Sequence, residues 1–290
     1  MTLEQLRIFI CVAERENMTR AAEALHITQS TVSAAVAALE AEHGVALFHR
    51  IGRRIEITDA GRLFWSEALA IRSRIAGAEL ALSEFGQLRR GTLRLVASMT
   101  IASYWLPVHL AAFHEKYPQI NVELALANTE LAAQRVSSGA AELGFVEGVV
   151  DDAALEHWRL GHDRLQLVSA TGAAQADEEW LRRARWVMRE QGSGTRSSFE
   201  EALRPRGIDP SELNIALTLP SNEAVCTAVT TGVGVAALST LVVARALSTG
   251  ALRAIPFDMP ERPFFGLRHK ERYRSKAAEA LLACIKEGFI

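Results

Sequence analysis

The segment Asn17 to Glu42, NMTRAAEALHITQSTVSAAVAALEAE, admits few folds, because it reads as two short helices with a tight joint, the second led by polar residues. Thr19 is the expected N-cap of the first helix. Ala21, Ala22 and Leu25 share one face of it, the alanines small enough for another helix to approach closely. His26 and Ile27 break the run, and Thr28 offers a second cap. Ile27 before that cap and Val32 after it stand at the two positions of a hydrophobic staple, which fixes the angle at which the chain enters the second helix. Val32, Val36 and Leu39 then recur at helical spacing as a stripe to be buried. Thr28, Gln29, Ser30, Thr31 and Ser33 are left at the opposite, leading end. This is a helix-turn-helix pattern, in which residues at the N-terminus of the second helix reach base edges. Gln pairs bidentately with adenine, while Ser and Thr suit donor or acceptor edges. An ordinary helical hairpin with a solvated polar face has the same spacing, so the segments C-terminal to Glu42 decide between the two.

After Gly44, VALFHRIGRRIEITDAG reads as strand, basic turn, strand, with Phe48, Ile55 and Ile57 as the apolar positions and Ile51 to Arg54 as the turn. A wing carrying Arg50, Arg53 and Arg54 beside a recognition helix would place cations near phosphates or in a narrow minor groove. A long helix comes next. Thr58 is expected to cap it, Asp59 complements its dipole, and Gly91 after Arg89 and Arg90 is expected to close it. Along it Phe64, Ala68, Ile71, Ile75, Ala78, Leu82 and Phe85 step by alternate fours and threes, a coiled-coil seam. Two explanations compete for so long an apolar stripe: a second chain covers it, or the rest of the same chain does. The regularity favours dimerisation, which would present two recognition helices to two half-sites.

The net charge of −2 excludes a broadly basic nucleic-acid binder, so the cations matter by position, concentrated in the wing. A hydrophobic content of 49% with 23% charged residues over 290 residues suits a small domain followed by a larger one. The start, MTLEQLRIF, has no basic region followed by an apolar one, and no run reaches the length of a membrane span. A cytoplasmic protein without membrane partners is expected. Cys11, Cys226 and Cys284 show no CxxC and no His at ligand spacing, so neither a structural metal nor a cofactor is expected. All three fall on apolar helical stretches, where inert buried thiols are the rule, leaving a redox role for Cys226 the lesser reading.

Beyond Gly91 strands alternate with helices. GTLRLVAS, NVELALAN and ELGFVEG read as strands, with helices from Ile101 to Tyr117 and Thr129 to Ser138 between them. Such alternation implies parallel sheets covered by helices. Gly232 to Ala237 matches GxGxxA but follows a helix and itself reads as a strand, the reverse of a dinucleotide fingerprint. Gly192-Ser193-Gly194-Thr195 lacks the lysine of a phosphate-binding loop. No histidine sits in HExxH, and no nucleophile elbow occurs. An enzyme built on the α/β part would need paired acid and base, so no catalytic residues are assigned.

The ordered string Ala21-Ala22, Leu25, Thr28 to Ser33, Leu39-Glu40, Leu47 to Arg50, Arg54 and Thr58 to Gly61 resembles the LysR-type transcriptional regulators, a match that extends more diffusely over the whole chain. Ala34 stands where many members carry a basic or polar residue, which leaves less chemistry on the recognition helix. Within the family, MTRAAEALHITQSTVSAAVAALE and REQGSGTR look similar to the CysL-like regulators of sulfur assimilation. The resemblance implies a winged helix-turn-helix domain (1–58), a linker and dimerisation helix (59–90), and an α/β effector domain (91–290). The last would be of the two-subdomain, periplasmic-binding-protein-like type, with subdomain I (91–161 and 264–290) and subdomain II (162–263). The chain would cross over near Gly161 to Arg164 and return near Arg262 to Phe264.

In open α/β sheets, ligands sit beyond the carboxyl ends of strands, against helix N-termini. Ser98, Met99, Thr100, Asn128, Thr129, Gly192, Ser193, Thr195, Arg196 and Ser221 stand at such junctions. One at a time these hydroxyls would be helix caps. Their collective position, implied by the family fold, makes a cage for a small anionic effector, to which Arg196 would add charge. The partners implied are double-stranded operator DNA, further copies of the chain as dimer or homotetramer, the effector, and RNA polymerase. The rivals are an effector-independent architectural DNA-binding protein and, more remotely, an enzyme on the α/β domain.

Overall fold

The computed structural model describes residues 1–51, 54–83, 91–148, 150–173 and 175–288. Two compact units emerge, one built on Met1–Ser83 and the other on nearly all of the remaining chain.

The first unit begins with α1 (Leu3–Arg15), whose start is a reciprocal capping box. The Thr2 hydroxyl accepts from the Gln5 amide at 3.2 Å, and the Gln5 side chain accepts from the Thr2 amide at 2.7 Å. In α2 (Met18–Leu25) the cap is Asn17 rather than the expected Thr19. The Asn17 side chain accepts from the Arg20 amide at 2.9 Å and leaves Thr19 inside the first turn. His26 ends α2 in the left-handed conformation, φ 56°, which lets the chain reverse at once into α3 (Gln29–His43). Thr28 caps α3 as expected, and Val32, Val36 and Leu39 are buried. The wing strands β1 (Phe48–Ile51) and β2 (Arg54–Ile57) pair antiparallel, Phe48 opposite Ile57. Ile51 and Arg54 are therefore strand residues rather than turn, and Arg53 lies outside the described residues, as do the side chains of Arg50 and Arg54. Glu40 ties the wing to α3, its carboxylate accepting from the Leu47 and Phe48 amides at 2.8 and 3.1 Å.

Helix α4 (Asp59–Ser83) starts where Thr58 accepts from the Gly61 amide at 2.9 Å. The expected seam divides along this helix. Phe64 stacks 4.6 Å from Phe9, Ala68 is fully buried, and Ile71 packs on the same core as α1 and α3. These three pack against the small domain's own core, so the near part of the expected seam has cover within the chain. Ile75 is half-buried, Ala78 exposed and Leu82 78% exposed; Phe85 lies outside the described residues. Gly91 opens a strand, and residues 84–90 between it and the described end of α4 lie outside the described residues.

The second unit contains β3 (Gly91–Ser98), a π turn at Ile101–Trp105 leading into α5 (Leu106–Lys116), β4 (Ile120–Ala127), α6 (Thr129–Ser138) and β5 (Leu143–Glu147). The long β6 (Leu155–Ser169) follows, then α7 (Glu178–Arg183), β7 (Arg185–Arg189), α8 (Gly194–Leu203), β8 (Asn214–Leu219), α9 (Asn222–Thr230) and β9 (Val235–Ser239). The chain ends through α10 (Thr240–Ser248), β10 (Arg253–Ile255), β11 (Glu261–His269) and α11 (Lys276–Glu287). The strands join in the order β4-β3-β5-β11-β6-β9-β7-β8, with β10 on β6. β3 is parallel to β4 and β5, and β7 to β8 and β9, as the βα alternation implies. β6 and β11 run antiparallel to their neighbours and to each other, so the sheet is mixed.

These two strands connect a half built on β3–β5, with Phe113, Phe145 and Leu281 in its core, to a half built on β7–β9, with Trp186, Phe199 and Leu203 in its core. Among the described residues no helix is long and apolar enough to cross a membrane.

Candidate nucleic-acid interface and ligand cleft

On α3 the stripe Val32, Val36 and Leu39 faces the core, which turns Gln29, Ser30 and Thr31 outward, with Ser33 half-buried beside them. The Thr28 hydroxyl is 2.8 Å from those of both Ser30 and Thr31 and accepts from the Thr31 amide at 3.2 Å. Thr28 is thus held by capping, whereas Gln29 projects from the first turn with a side chain long enough to reach a base edge.

In the second unit, the β3 and β4 ends of one half meet the β7 and β8 ends of the other. Ser98 and Thr100 are buried, and the Ser98 hydroxyl has no hydrogen-bond partner. Thr100 accepts from the Asn222 amide nitrogen at 3.0 Å across the cleft. The oxygen of Asn222 accepts in turn from Nη1 of Arg189 at 2.6 Å. Arg189 uses its other edge on the carboxylate of its neighbour Glu190, Nε at 2.8 Å and Nη2 at 2.9 Å. Burial pushes the Glu190 carboxyl up. Hydrogen bonding and charge from Arg189 outweigh burial and hold it below the usual carboxylate range. Asn128 donates to the Gln191 carbonyl at 3.3 Å.

The remaining expected effector residues are largely committed. Thr129 donates to the Glu147 carbonyl at 3.0 Å, and Ser221 caps α9. Ser193 is buried at the start of α8, and Met99 is half-buried between Ser98 and Thr100. Gly192 has φ 78°, with Glu130 against the place a Cβ would take. Gly194 has no room for one either, since a Cβ there would lie 2.4 Å from the Glu147 carbonyl oxygen. Arg196 is corrected as a source of free charge: it pairs with Glu200 at 2.6 Å and donates to the Arg189 carbonyl at 3.1 Å. The buried cation presented to the cleft is Arg189. Burial first, then the nearby Glu223 carboxylate, push the Tyr104 phenol above its ordinary value.

Beneath the cleft lies a buried ion cluster. Arg262 on β11 sits opposite Asp163 on β6 and grips it with two nitrogens, Nε at 2.7 Å. Its third nitrogen donates to Thr195 at 3.0 Å and lies 3.9 Å from Glu147. Ser239 donates to Asp163. Burial alone would lower the Arg262 pKa, but Glu147 and Asp163 raise it, so it stays charged. Glu147 Oε1 has no hydrogen-bond partner. Arg189, Glu190, Asn222 and, within this cluster, Arg262, Asp163, Glu147 and Ser239 are functional candidates absent from the expected set, which held Thr195. The available signal was Arg189-Glu190 breaking the apolar run Trp186 to Met188.

A cavity of about 360 Å³, lined by Gly148, Leu165, Ala202, Met259, Arg262 and others, is lined by none of the residues expected to hold an effector. Among the described residues no cluster of His, Cys, Asp or Glu could hold a metal ion. Burial raises the half-buried Cys226 thiol, which disfavours the reactive thiolate.

Residues 3–62 match the bacterial regulatory helix-turn-helix protein, lysR family, and residues 86–290 match the LysR substrate binding domain. The HTH-type transcriptional regulator YeiE of Escherichia coli (strain K12), itself described as uncharacterized, is 32% identical over 97% of this chain and 96% of its own length. The HTH-type transcriptional regulator CysL of Bacillus subtilis (strain 168) is 31% identical over 82% of this chain and 81% of its own. Among solved structures, full-length CbnR complexed with its target DNA superposes with a TM-score of 0.68 at 23% identity, covering 99% of both chains.

Proposed function

The chain belongs to the LysR family of helix-turn-helix transcriptional regulators, and from that premise we propose that it grips two-fold related operator half-sites as an oligomer and answers a small anionic metabolite bound in the C-terminal cleft. The observation that carries the DNA reading is α3, whose apolar stripe is buried and whose Gln29, Ser30 and Thr31 are exposed ahead of a basic wing. Gln29 and Ser33, with Ser30 and Thr31, read bases. Arg50, Arg53 and Arg54 hold phosphate and add the salt-sensitive, sequence-independent part of the affinity.

Oligomerisation is supported by the far part of α4, where Ile75, Ala78 and Leu82 continue the stripe beyond the domain core and Leu82 is exposed. A dimer, and a dimer of dimers, would cover it and set the half-site spacing by whole helical turns. The effector reading is supported by the unpartnered Ser98 hydroxyl beside Thr100 and by the buried cation Arg189 at the facing strand end. A ligand that binds one relation of the two halves better than another shifts the protein toward it, and DNA affinity and output to RNA polymerase change in proportion to that difference.

The test is an unbiased selection of genomic fragments by the purified full chain at low ionic strength, with and without a millimolar panel of carboxylate, sulfur and phosphate metabolites. Enrichment of fragments carrying two-fold related half-sites is expected, with a footprint that shifts for one class of anion. No preference for any fragment would overturn the DNA reading. An unshifted footprint, together with a thermal midpoint unmoved by every metabolite, would overturn the effector reading.

A further inference from the structure

We propose that Glu190 is a built-in stand-in for the anionic effector, occupying the guanidinium fork of Arg189 until a free oxyanion displaces it. This rests on the effector reading of the cleft and adds to it the group the ligand must replace. Neighbouring residues on a strand point to opposite faces, so an Arg and the Glu after it do not pair while the strand continues. Here β7 ends at Arg189, and the chain turns so that the Glu190 carboxylate comes back onto Nε and Nη2. That two-point geometry is how guanidinium recognises a free carboxylate, or two oxygens of a tetrahedral anion.

The two partners differ in exposure. The Arg189 side chain is 4% exposed and Glu190 is 28% exposed, so the cation is fixed while the carboxylate has a path to solvent. Arg189 is also locked from behind by Asn222, itself bound to Thr100. From the facing half the Asn128 side chain donates to the carbonyl of Gln191, the residue after Glu190, at 3.3 Å. A free oxyanion taking the place of Glu190 would inherit the Arg189 fork, with the Asn128 amide beside it on the Gln191 carbonyl and the idle Ser98 hydroxyl in the same half as Asn128. An internal competitor of this kind sets a concentration threshold, because a tethered carboxylate acts like about millimolar or higher free ligand.

The experiment is calorimetric titration of the full chain with acetate, sulfate and inorganic phosphate, each at constant ionic strength, comparing wild type with Glu190→Gln, Glu190→Asp and the double variant Arg189→Gln/Glu190→Gln. At least one of the anions should bind Glu190→Gln about tenfold or more tightly than wild type, and the double variant should lose that gain. Glu190→Asp, whose shorter carboxylate spans the fork poorly, should fall between, and it carries the test if Glu190→Gln does not fold. Equal affinity in wild type and in both Glu190 variants would overturn the stand-in while leaving an anionic effector intact. Absence of binding to every form would overturn both.

Discussion

Arg262 serves two buried carboxylates, and the consequences of removing each member differ enough to be measured. Arg262→Met leaves Asp163 and Glu147, each with a side chain 2% exposed, without a counter-charge. Stranding one partner of a buried pair costs about 3–5 kcal/mol, and with two carboxylates stranded the upper end is expected. Asp163→Asn keeps the guanidinium opposite Glu147 and loses charge-assisted hydrogen bonding worth about 1.5–3 kcal/mol. For Glu147→Gln two larger quantities nearly cancel. Attraction between unit charges at this separation is about 4 kcal/mol at an effective dielectric near 20, against a desolvation penalty of several kcal/mol per buried ion. The net change should stay within about 1 kcal/mol of wild type. Urea unfolding of the full chain, followed by tryptophan fluorescence, four of whose five emitters (Trp105, Trp158, Trp180 and Trp186) lie in the larger unit, reads these differences as midpoint shifts at constant slope. A loss in Arg262→Met no larger than in Asp163→Asn, or an equally large loss in Glu147→Gln, would refute the charge count.

On DNA, Gln29→Ala should cost about 1–3 kcal/mol on the matched site and little on a scrambled one, whereas Arg53→Ala and Arg54→Ala should weaken both alike and flatten the salt dependence in a fluorescence-anisotropy titration. Equal losses on both sites after Gln29→Ala would remove it from base readout. Charged substitutions at Ile75 and Leu82 should yield monomers in sedimentation without lowering the stability of the small domain, while Ile71→Asp should lower that stability, since Ile71 packs on that domain's core. A dimer surviving the first pair would mean the helix associates through another face. Because the folded-state pKa of Glu190 is depressed, its contribution to stability is present above the ordinary carboxylate value of about 4.3 and fades as pH falls through the lower folded value. Glu190→Gln should flatten that part of the stability–pH curve, and an unchanged curve would show the pairing with Arg189 to be energetically idle.

The small domain was largely legible because its signals are local. The Thr28 cap, the Ile27 and Val32 staple and the Val32, Val36, Leu39 stripe span a few turns of chain and need no knowledge of what lies elsewhere. Thr19 was misplaced because Asn17, two residues earlier, is at least as good a cap and the spacing alone does not choose between them. The stripe on α4 was legible as apolar but not as to its partner, since periodicity shows that a face is covered and not by what; Phe9 supplies the cover for Phe64. In the larger unit, the βα alternation showed the parallel strands. It gave no hint that β6 and β11 pair, because their contacting residues stand far apart in the chain, as Asp163 and Arg262 do at a separation of 99. The same distance hid the ion cluster. At the cleft, hydroxyls at strand ends were visible, yet which cation faces it depends on whose carboxylate each arginine meets, and Arg196 and Arg189 are told apart only by their pairing with Glu200 and Glu190.

β6 and β11 are bonded to each other through the span that joins the two halves, with Arg262 opposite Asp163, Phe264 opposite Gly161, and the register slipping by one before Phe265 meets Arg159. A linkage of this form behaves as a torsion bar rather than as a door hinge. Its ladder bonds resist stretching and shear, while the slipped position at Leu160 adds twist and gives the bar a soft point. Should a metabolite bind the cleft as proposed, the compliant coordinate this linkage offers would be a small rotation about the strand axis.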